Sequence, residues 1–154
     1  MTTTSQPVPL WAPLYGASIG QAWTRFWKKY ATFSGRASRS EYWWWFLISV
    51  VIGIVLEIIT LAVSGGTGMG RMNSDGSMIA PNAGAIIMTI ILIIWGLGTI
   101  IPGLALLARR LHDVNLSAWF IFIGLVPFVG GIILLIMAIL PSNQAGQRFD
   151  RPIS

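Results

Sequence analysis

The sequence predicts an all-α integral membrane protein, with three transmembrane helices behind an N-terminal interfacial amphipathic helix. Of its 154 residues, 55% are hydrophobic and 10% are charged, whereas about a quarter of the residues in an ordinary soluble domain are charged. Three apolar runs are each long enough to cross a bilayer, and the second and third contain no charge. A basic, aromatic-rich stretch precedes the first run.

Residues 1–14 contain three prolines and no apolar period, which predicts a disordered tail. Residues 15–34 have a helical period instead, with apolar side chains on one side and basic and polar ones on the other. We expect this helix to lie in the membrane interface with Arg25, Lys28 and Lys29 toward anionic lipid. The alternative is a helix packed against protein. The apolar side consists of Ile19, Ala22, Trp23, Phe26, Trp27, Tyr30 and Phe33.

The membrane domain is predicted to cover residues 35–141, with spans at about 43–64, 84–108 and 118–140. A tyrosine and three tryptophans open the first span, as is typical of an interfacial belt. Glycines and a proline in each of the other two predict kinks and close helix contacts. An exposed loop rich in glycine separates the first two spans, and residues 142–154 form a polar tail.

Basic residues near the span ends predict a multi-pass membrane protein with a cytoplasmic N-terminus. Three crossings place seven basic residues inside and Arg71, Arg148 and Arg151 outside. If the chain instead turned back at residues 127–131, nine would lie inside and one outside. Because a re-entrant backbone must be sheltered by protein, we expect three crossings and an external C-terminus.

The composition also limits the chemistry. The absence of cysteine excludes disulfides, thiolate metal sites and cysteine nucleophiles. The net charge of +5 lies beside apolar runs, where membrane topology and anionic lipid explain it better than nucleic acid does. No cofactor, metal site or cleavable signal is expected.

Two motifs, "FSGRASRSEYWWWF" at residues 33–46 and "ARRLHDVNLSAWF" at residues 108–120, resemble the signatures of a bacterial inner-membrane family. It is domain-of-unknown-function family 805, the YhaH-like proteins, and the resemblance covers about residues 21–150. The C-terminal "GQRFDRP" departs from the family pattern, with Gln147 and Asp150 in place of the usual asparagine and glycine. The resemblance implies a small multi-span membrane protein and brings no established reaction.

The charged residues of the two motifs form the candidate site. Both motifs lie at cytoplasmic span ends, so we expect one network between the spans in which Glu41 pairs with Arg109 or Arg110. The same patch could bind a lipid phosphate or an acidic segment of a partner. Catalysis through His112, the only histidine, is less favoured because no nucleophile motif lies nearby. The candidate residues are Arg36, Arg39, Glu41, Arg109, Arg110, His112 and Asp113.

Two further features have weaker interpretations. Glu57 is an acid within the first span, which by default suggests a functional residue on a proton or cation path. A side chain that faces the helix bundle or reaches water is the favoured alternative, because the spans contain no second acid. Met69, Met72 and Met78 are a possible Cu(I) site, but methionines in a flexible loop are weak evidence.

The sequence therefore predicts a non-catalytic module that binds anionic lipid headgroups or a membrane-protein partner at a basic cytoplasmic face. A homo-oligomer is one form such a partner could take. The main alternative is a subunit of a transporter or small channel that uses Glu57. An enzyme that acts on a lipid headgroup through His112 is third.

Overall fold

The computed structural model describes residues 8–64, 72–78 and 80–150. Contacts divide it into two compact units. We call residues 8–46 and 101–150 the polar unit, and the described part of residues 47–100 the apolar unit. The elements in chain order are α1 (Ile19–Lys28), α2 (Arg39–Val63), α3 (Ala83–Asp113), the 3-10 helix η1 (Ala118–Leu125), α4 (Val129–Ile139) and the 3-10 helix η2 (Gln144–Phe149).

Among the described residues, two helices are long and apolar enough to cross a membrane. α2 has 25 residues and α3 has 31, and their most apolar windows have mean hydropathies of 2.8 and 2.4. At 1.5 Å per residue, both exceed the hydrocarbon thickness of about 30 Å. Helices of spanning length therefore stand where the sequence predicts the first two spans. Both helices also extend into the charged motifs.

Within the apolar unit, Asn82 links the end of α2 to the start of α3. Its side-chain amide donates to the carbonyl of Val63 at 3.1 Å, and its Oδ1 accepts from the amide of Ala85 at 2.8 Å. Gly84 lies so close to Val63 that an added Cβ would overlap the valine side chain. One side chain therefore satisfies backbone groups at two helix ends, which would otherwise lack partners.

The third predicted span is not one continuous helix, and the number of crossings stays a prediction. Residues 118–140 form η1 and α4, which are separated by a break at Pro127 and Phe128. Pro127 has no amide hydrogen to continue a helix, and Phe128 has a φ of 65°. After the break, Gly130 lies so close to the carbonyl of Ile123 that a Cβ there would overlap it. The two helices therefore pack against each other as a hairpin.

Both ends of this hairpin lie beside the C-terminal turn of α3. The amide of Asn143 donates to the carbonyl of Asp113 at 2.8 Å. Arg110 donates from Nε to the carbonyl of Ala138 at 3.0 Å and from Nη2 to that of Leu140. With 11 residues, α4 extends about 16 Å, which is roughly half of the hydrocarbon thickness. Arg110 thereby satisfies two carbonyls at the end of the hairpin.

α1 begins with a capping box in which Ser18 and Gln21 bond each other's backbone amides. Its Phe26 is buried and stacks on Trp45 in the first turns of α2. Trp23, on the same apolar side, contacts Trp45 but is partly exposed. Part of this side therefore packs against protein, as in the alternative interpretation of the sequence. Placement of the helix in the membrane interface stays a prediction.

Candidate functional site

The last turn of α3 buries four of the predicted site residues. The exposed fractions are 1% for Arg109, 0% for Arg110, 8% for His112 and 0% for Asp113. Buried charges are costly unless they are paired and hydrogen-bonded. The contacts of these side chains therefore determine what this end of the molecule can do.

Asp113 is the centre of one polar network. Its Oδ2 accepts from Nη1 of Arg110 and from the hydroxyl of Ser142, the latter at 2.5 Å. Its Oδ1 accepts from the hydroxyl of Tyr15 at 3.1 Å and lies 3.6 Å from Nη1 of Arg36. One carboxylate therefore joins both motifs to the N-terminal and C-terminal segments.

Arg36 also binds Asp150 with two parallel hydrogen bonds. Its Nε lies 2.9 Å from Oδ1, and its Nη2 lies 2.6 Å from Oδ2. These bonds raise the pKa of Arg36 further. Asp150 is one of the two positions at which the sequence departs from the family pattern. In this chain, that departure supplies a partner for an arginine of the first motif.

The His112 side chain bonds to backbone and packs against an aromatic ring. Its Nδ1 lies 3.1 Å from the carbonyl oxygen of Gly35, to which the N–H donates. Its ring stacks on Phe149, with the centroids 4.0 Å apart and the planes at 4°. The backbone at Gly146 passes so close to the His112 carbonyl that a Cβ would overlap it. No serine or threonine hydroxyl among the described residues hydrogen-bonds to this imidazole.

Glu41 has a different partner from the one the sequence predicts. Its Oε1 accepts from Nε of Arg25 at 2.5 Å. Its Oε2 accepts from the amides of Leu14 and Ser38 at 3.1 and 2.9 Å. No ion pair joins Glu41 to Arg109 or Arg110 among the described residues. Helix α1 therefore supplies the cation, from the side that was predicted to face lipid.

Residues 8–14 differ from the disordered tail that the sequence predicts for residues 1–14, of which residues 1–7 lie outside the described residues. Arg25 donates to the carbonyls of Val8, Leu10 and Ala12 in this segment. The hydroxyl of Ser38 donates to the carbonyl of Leu14 at 2.6 Å. The segment is ordered because buried polar side chains use its backbone carbonyls as acceptors.

Lys29 and Arg109 are buried, with an exposed fraction of 1% each. Nε of Arg109 donates to the carbonyl of Ala105 at 3.1 Å. Its Nη2 and the Nζ of Lys29 have no hydrogen-bond partner among the described residues. Burial, followed by the charge of Arg109, lowers the pKa of Lys29 from 10.5 to about 7.

The remaining predicted residues lie apart from these networks. Arg39 is exposed at the start of α2, and Glu57 is exposed in the apolar unit rather than facing a bundle. Met72 and Met78 are exposed and bridged across a loop, while Met69 lies outside the described residues. Residues 8–64, 72–78 and 80–150 contain no group of three or more His, Asp or Glu side chains that could hold a metal ion.

Sequence reasoning did not assign five residues of these networks to the site. They belong to segments predicted to be a tail or a lipid-facing helix surface. One signal was available: Arg25 and Lys29 are four residues apart and therefore share a helix face. The five residues are Tyr15, Arg25, Lys29, Ser142 and Asp150.

Comparison with known proteins identifies the family. The family model described as "Protein of unknown function (DUF805)" matches residues 30–151. Inner membrane protein YhaH of Escherichia coli K12 is 30% identical over 122 residues, which cover 79% of this chain and 87% of YhaH. Inner membrane protein YhaI of the same strain is 29% identical over 122 residues, with coverages of 79% and 86%. No solved structure matches the chain.

These relatives agree with the two helices of spanning length in α2 and α3. They also agree with the resemblance of the two charged motifs, which both lie inside the matched range. The chain therefore belongs to the DUF805 family, and it is a bacterial inner-membrane protein.

Proposed function

We propose that this protein is a non-catalytic module that binds anionic lipid headgroups at the cytoplasmic surface of its polar unit. One observation carries the proposal: the described polar unit has eight basic residues against three acidic ones, and every acid is already ion-paired. The surplus positive charge therefore has no acidic partner within the described part of the unit. Its exposed members are Lys28, Arg39 and Arg148.

The hairpin supports a cytoplasmic position for this surplus. If the N-terminus is cytoplasmic, α2 and α3 cross the membrane twice and return the chain to the same side. The hairpin then keeps the C-terminal segment beside α3. Nine basic residues lie inside in this arrangement and one, Arg71, lies outside, as the positive-inside rule favours. Each exposed basic group near an anionic surface contributes about 1 kcal/mol of attraction.

The alternative functions have less support. Lipid hydrolysis through His112 would need a reacting group at an imidazole that is stacked and bonded to backbone. Transport past Glu57 would need a second chain to cover this residue, which is exposed in the apolar unit. Neither alternative uses the unpaired positive charge.

Lipid selectivity can be measured from the tryptophan fluorescence of the reconstituted protein. We expect brominated phosphatidylglycerol to quench more strongly than brominated phosphatidylcholine in otherwise identical mixed vesicles. The preference should weaken as salt is added, because exposed charges are screened. Arg148→Gln should reduce it by up to about fivefold, the equivalent of about 1 kcal/mol.

The matched control is Arg71→Gln, which removes one positive charge from the loop between α2 and α3. It should leave unchanged the stronger quenching by brominated phosphatidylglycerol than by brominated phosphatidylcholine. Equal quenching by the two brominated lipids at low salt would contradict headgroup binding. If Arg71→Gln reduces the lipid preference as much as Arg148→Gln does, the headgroup binding does not belong to the polar unit.

A further inference from the structure

We propose that the ammonium group of Lys29 and Nη2 of Arg109 together bind one phosphate-type oxyanion inside the polar unit. This is a discrete site with two named ligands, distinct from the attraction of headgroups to exposed basic residues. The inference rests on the proposed function only for the source of the anion, which is either a lipid headgroup or free phosphate.

The first step is the burial of two unpartnered cations. Lys29 and Arg109 are each 99% buried, and a donor atom on each lacks an acceptor in the described part of the chain. A buried donor without an acceptor costs about 1–3 kcal/mol, and more when it is charged. A bound anion with several acceptor oxygens would remove this cost from both side chains.

The second step concerns the neighbouring carboxylates. Glu41 and Asp150 both act on Lys29 electrostatically and favour its charged form. Glu41, however, is bonded to Arg25, and Asp150 is bonded to Arg36. No carboxylate of residues 8–64, 72–78 or 80–150 lies within ion-pair distance of the Lys29 ammonium group.

The third step is the local charge. Arg25, Arg109, Glu41 and Asp150 all act on Lys29. Glu41 is paired with Arg25 and Asp150 with Arg36, so Lys29 and Arg109 are left as a surplus of two positive charges when Lys29 is protonated. Inorganic phosphate at pH 7 carries a charge close to the two units of this surplus, and a lipid phosphodiester carries about half of it. Lysine binds phosphate as a point charge and arginine through its planar fork, which makes the pair a suitable phosphate receptor.

The two lysines of the chain make the site directly observable. Lys28 and Lys29 are adjacent, and the first is exposed while the second is buried. Labelling lysine with 13C at Cε therefore gives two NMR signals, and Lys28 serves as the internal control. The protein is held in a maltoside detergent without phosphate, and its spectrum is followed against pH. Inorganic phosphate, phosphatidylglycerol or a neutral galactolipid is then added, and each sample is incubated for a long time. The incubation is needed because a closed site exchanges its ligand through local opening.

A bound oxyanion should raise the midpoint of the Lys29 titration from about 7 by about 1–3 pH units, as an opposite charge at close range does. A rise with phosphatidylglycerol alone identifies a lipid headgroup as the source, and a rise with inorganic phosphate shows that free phosphate suffices. The galactolipid should cause none. If neither phosphate compound moves the Lys29 signal, or if Lys28 moves equally, the site does not exist.

Variants give an independent readout. Lys29→Met should raise the melting temperature without phosphate, because it removes an unpaired buried charge, and should reduce the stabilisation by whichever phosphate compound moves the Lys29 signal. Arg71→Gln, which removes a positive charge from the loop between α2 and α3, should keep that stabilisation. Undiminished stabilisation of Lys29→Met would overturn the proposal. If Lys29→Met does not fold, the NMR titration of the unaltered chain still decides.

The test of the buried phosphate site can fail or succeed independently of the test of headgroup binding. Failure of headgroup selection would appear as equal quenching by the two brominated lipids, whatever the Lys29 signal does. Failure of the buried site would appear at Lys29 alone and would leave the salt-dependent lipid preference intact.

Discussion

In the polar unit, Arg110 and Asp113 are completely buried and bonded to each other, and backbone carbonyls take the other donors of the arginine. In the apolar unit, Ile58 and Ile94 are 60% and 64% exposed, as are many of their neighbours. One unit holds its segments together through specific polar bonds. The other exposes a long apolar surface that only lipid or other apolar protein surface can cover. Substitutions in the charged networks of the polar unit should therefore act through partner loss, and those in apolar segments, including the hairpin, should act through overlap or exposure.

The largest difference we expect is an all-or-none one, in the side of the membrane on which the C-terminus lies. The hairpin returns residues 138–143 to the end of α3, so both termini should be cytoplasmic. A fluorescent protein that matures only inside, fused after Ser154, should fluoresce, and alkaline phosphatase fused there should be inactive. An active phosphatase would restore the three-crossing arrangement.

Next in size is the loss of the Asp113 carboxylate. Asp113→Asn leaves Arg110 buried without its anionic partner, which should cost about 3–5 kcal/mol of stability. The matched control is Asp75→Asn, because Asp75 is a fully exposed acid in the apolar unit. We expect the control to change stability far less, because surface substitutions usually have small effects. Unfolding titrations in mixed micelles measure both, and similar losses would mean that the network does not stabilise the polar unit.

The two units also differ in how far the sequence predicts them. The spans at 43–64 and 84–108 follow from length and hydropathy, properties that each segment carries by itself. The segment 118–140 has the same properties, yet it forms two packed helices, with Gly130 against Ile123 and Arg110 bonded to carbonyls at its end. Long-range pairings of this kind have no local signal. The pairing of Glu41 with Arg25 rather than with Arg109 is of the same type.

A smaller effect is expected at the hairpin, where two adjacent glycines differ. A Cβ at Gly130 would overlap the backbone of Ile123, whereas one at Gly131 would meet nothing within 4 Å. Gly130→Ala should therefore lower stability by about 1–3 kcal/mol. Gly131→Ala should raise it by about 0.5–1 kcal/mol, because alanine favours a helix more than glycine does. Equal responses in the same unfolding titration would show that η1 and α4 do not pack closely.

The partner of Glu41 can be identified with double-mutant cycles. Because Glu41 is bonded to Arg25, we expect Arg25→Ala and Glu41→Ala to couple by about 1–3 kcal/mol. The cycle of Glu41→Ala with Arg109→Ala should give a smaller coupling, since no ion pair joins them in the described residues. A larger coupling to Arg109 would favour the pairing predicted from the sequence.

The effect that is smallest for each step of the titration is a pH dependence that comes from Lys29. Its pKa is about 7 in the folded chain and ordinarily 10.5, so between these values the unfolded chain binds more protons. Stability should therefore rise with pH across this window, by at most about 1.4 kcal/mol per pH unit. Below pH 7 the lysine is charged in both states and its burial cost is constant. Burial raises the pKa of Tyr15 above its ordinary value of 10.0, which lowers stability at higher pH, so titrations belong between pH 7 and 9. In phosphate-free buffer, Lys29→Met should flatten the rise and Lys28→Met should keep it, whereas equal slopes in all three chains would show that Lys29 titrates normally.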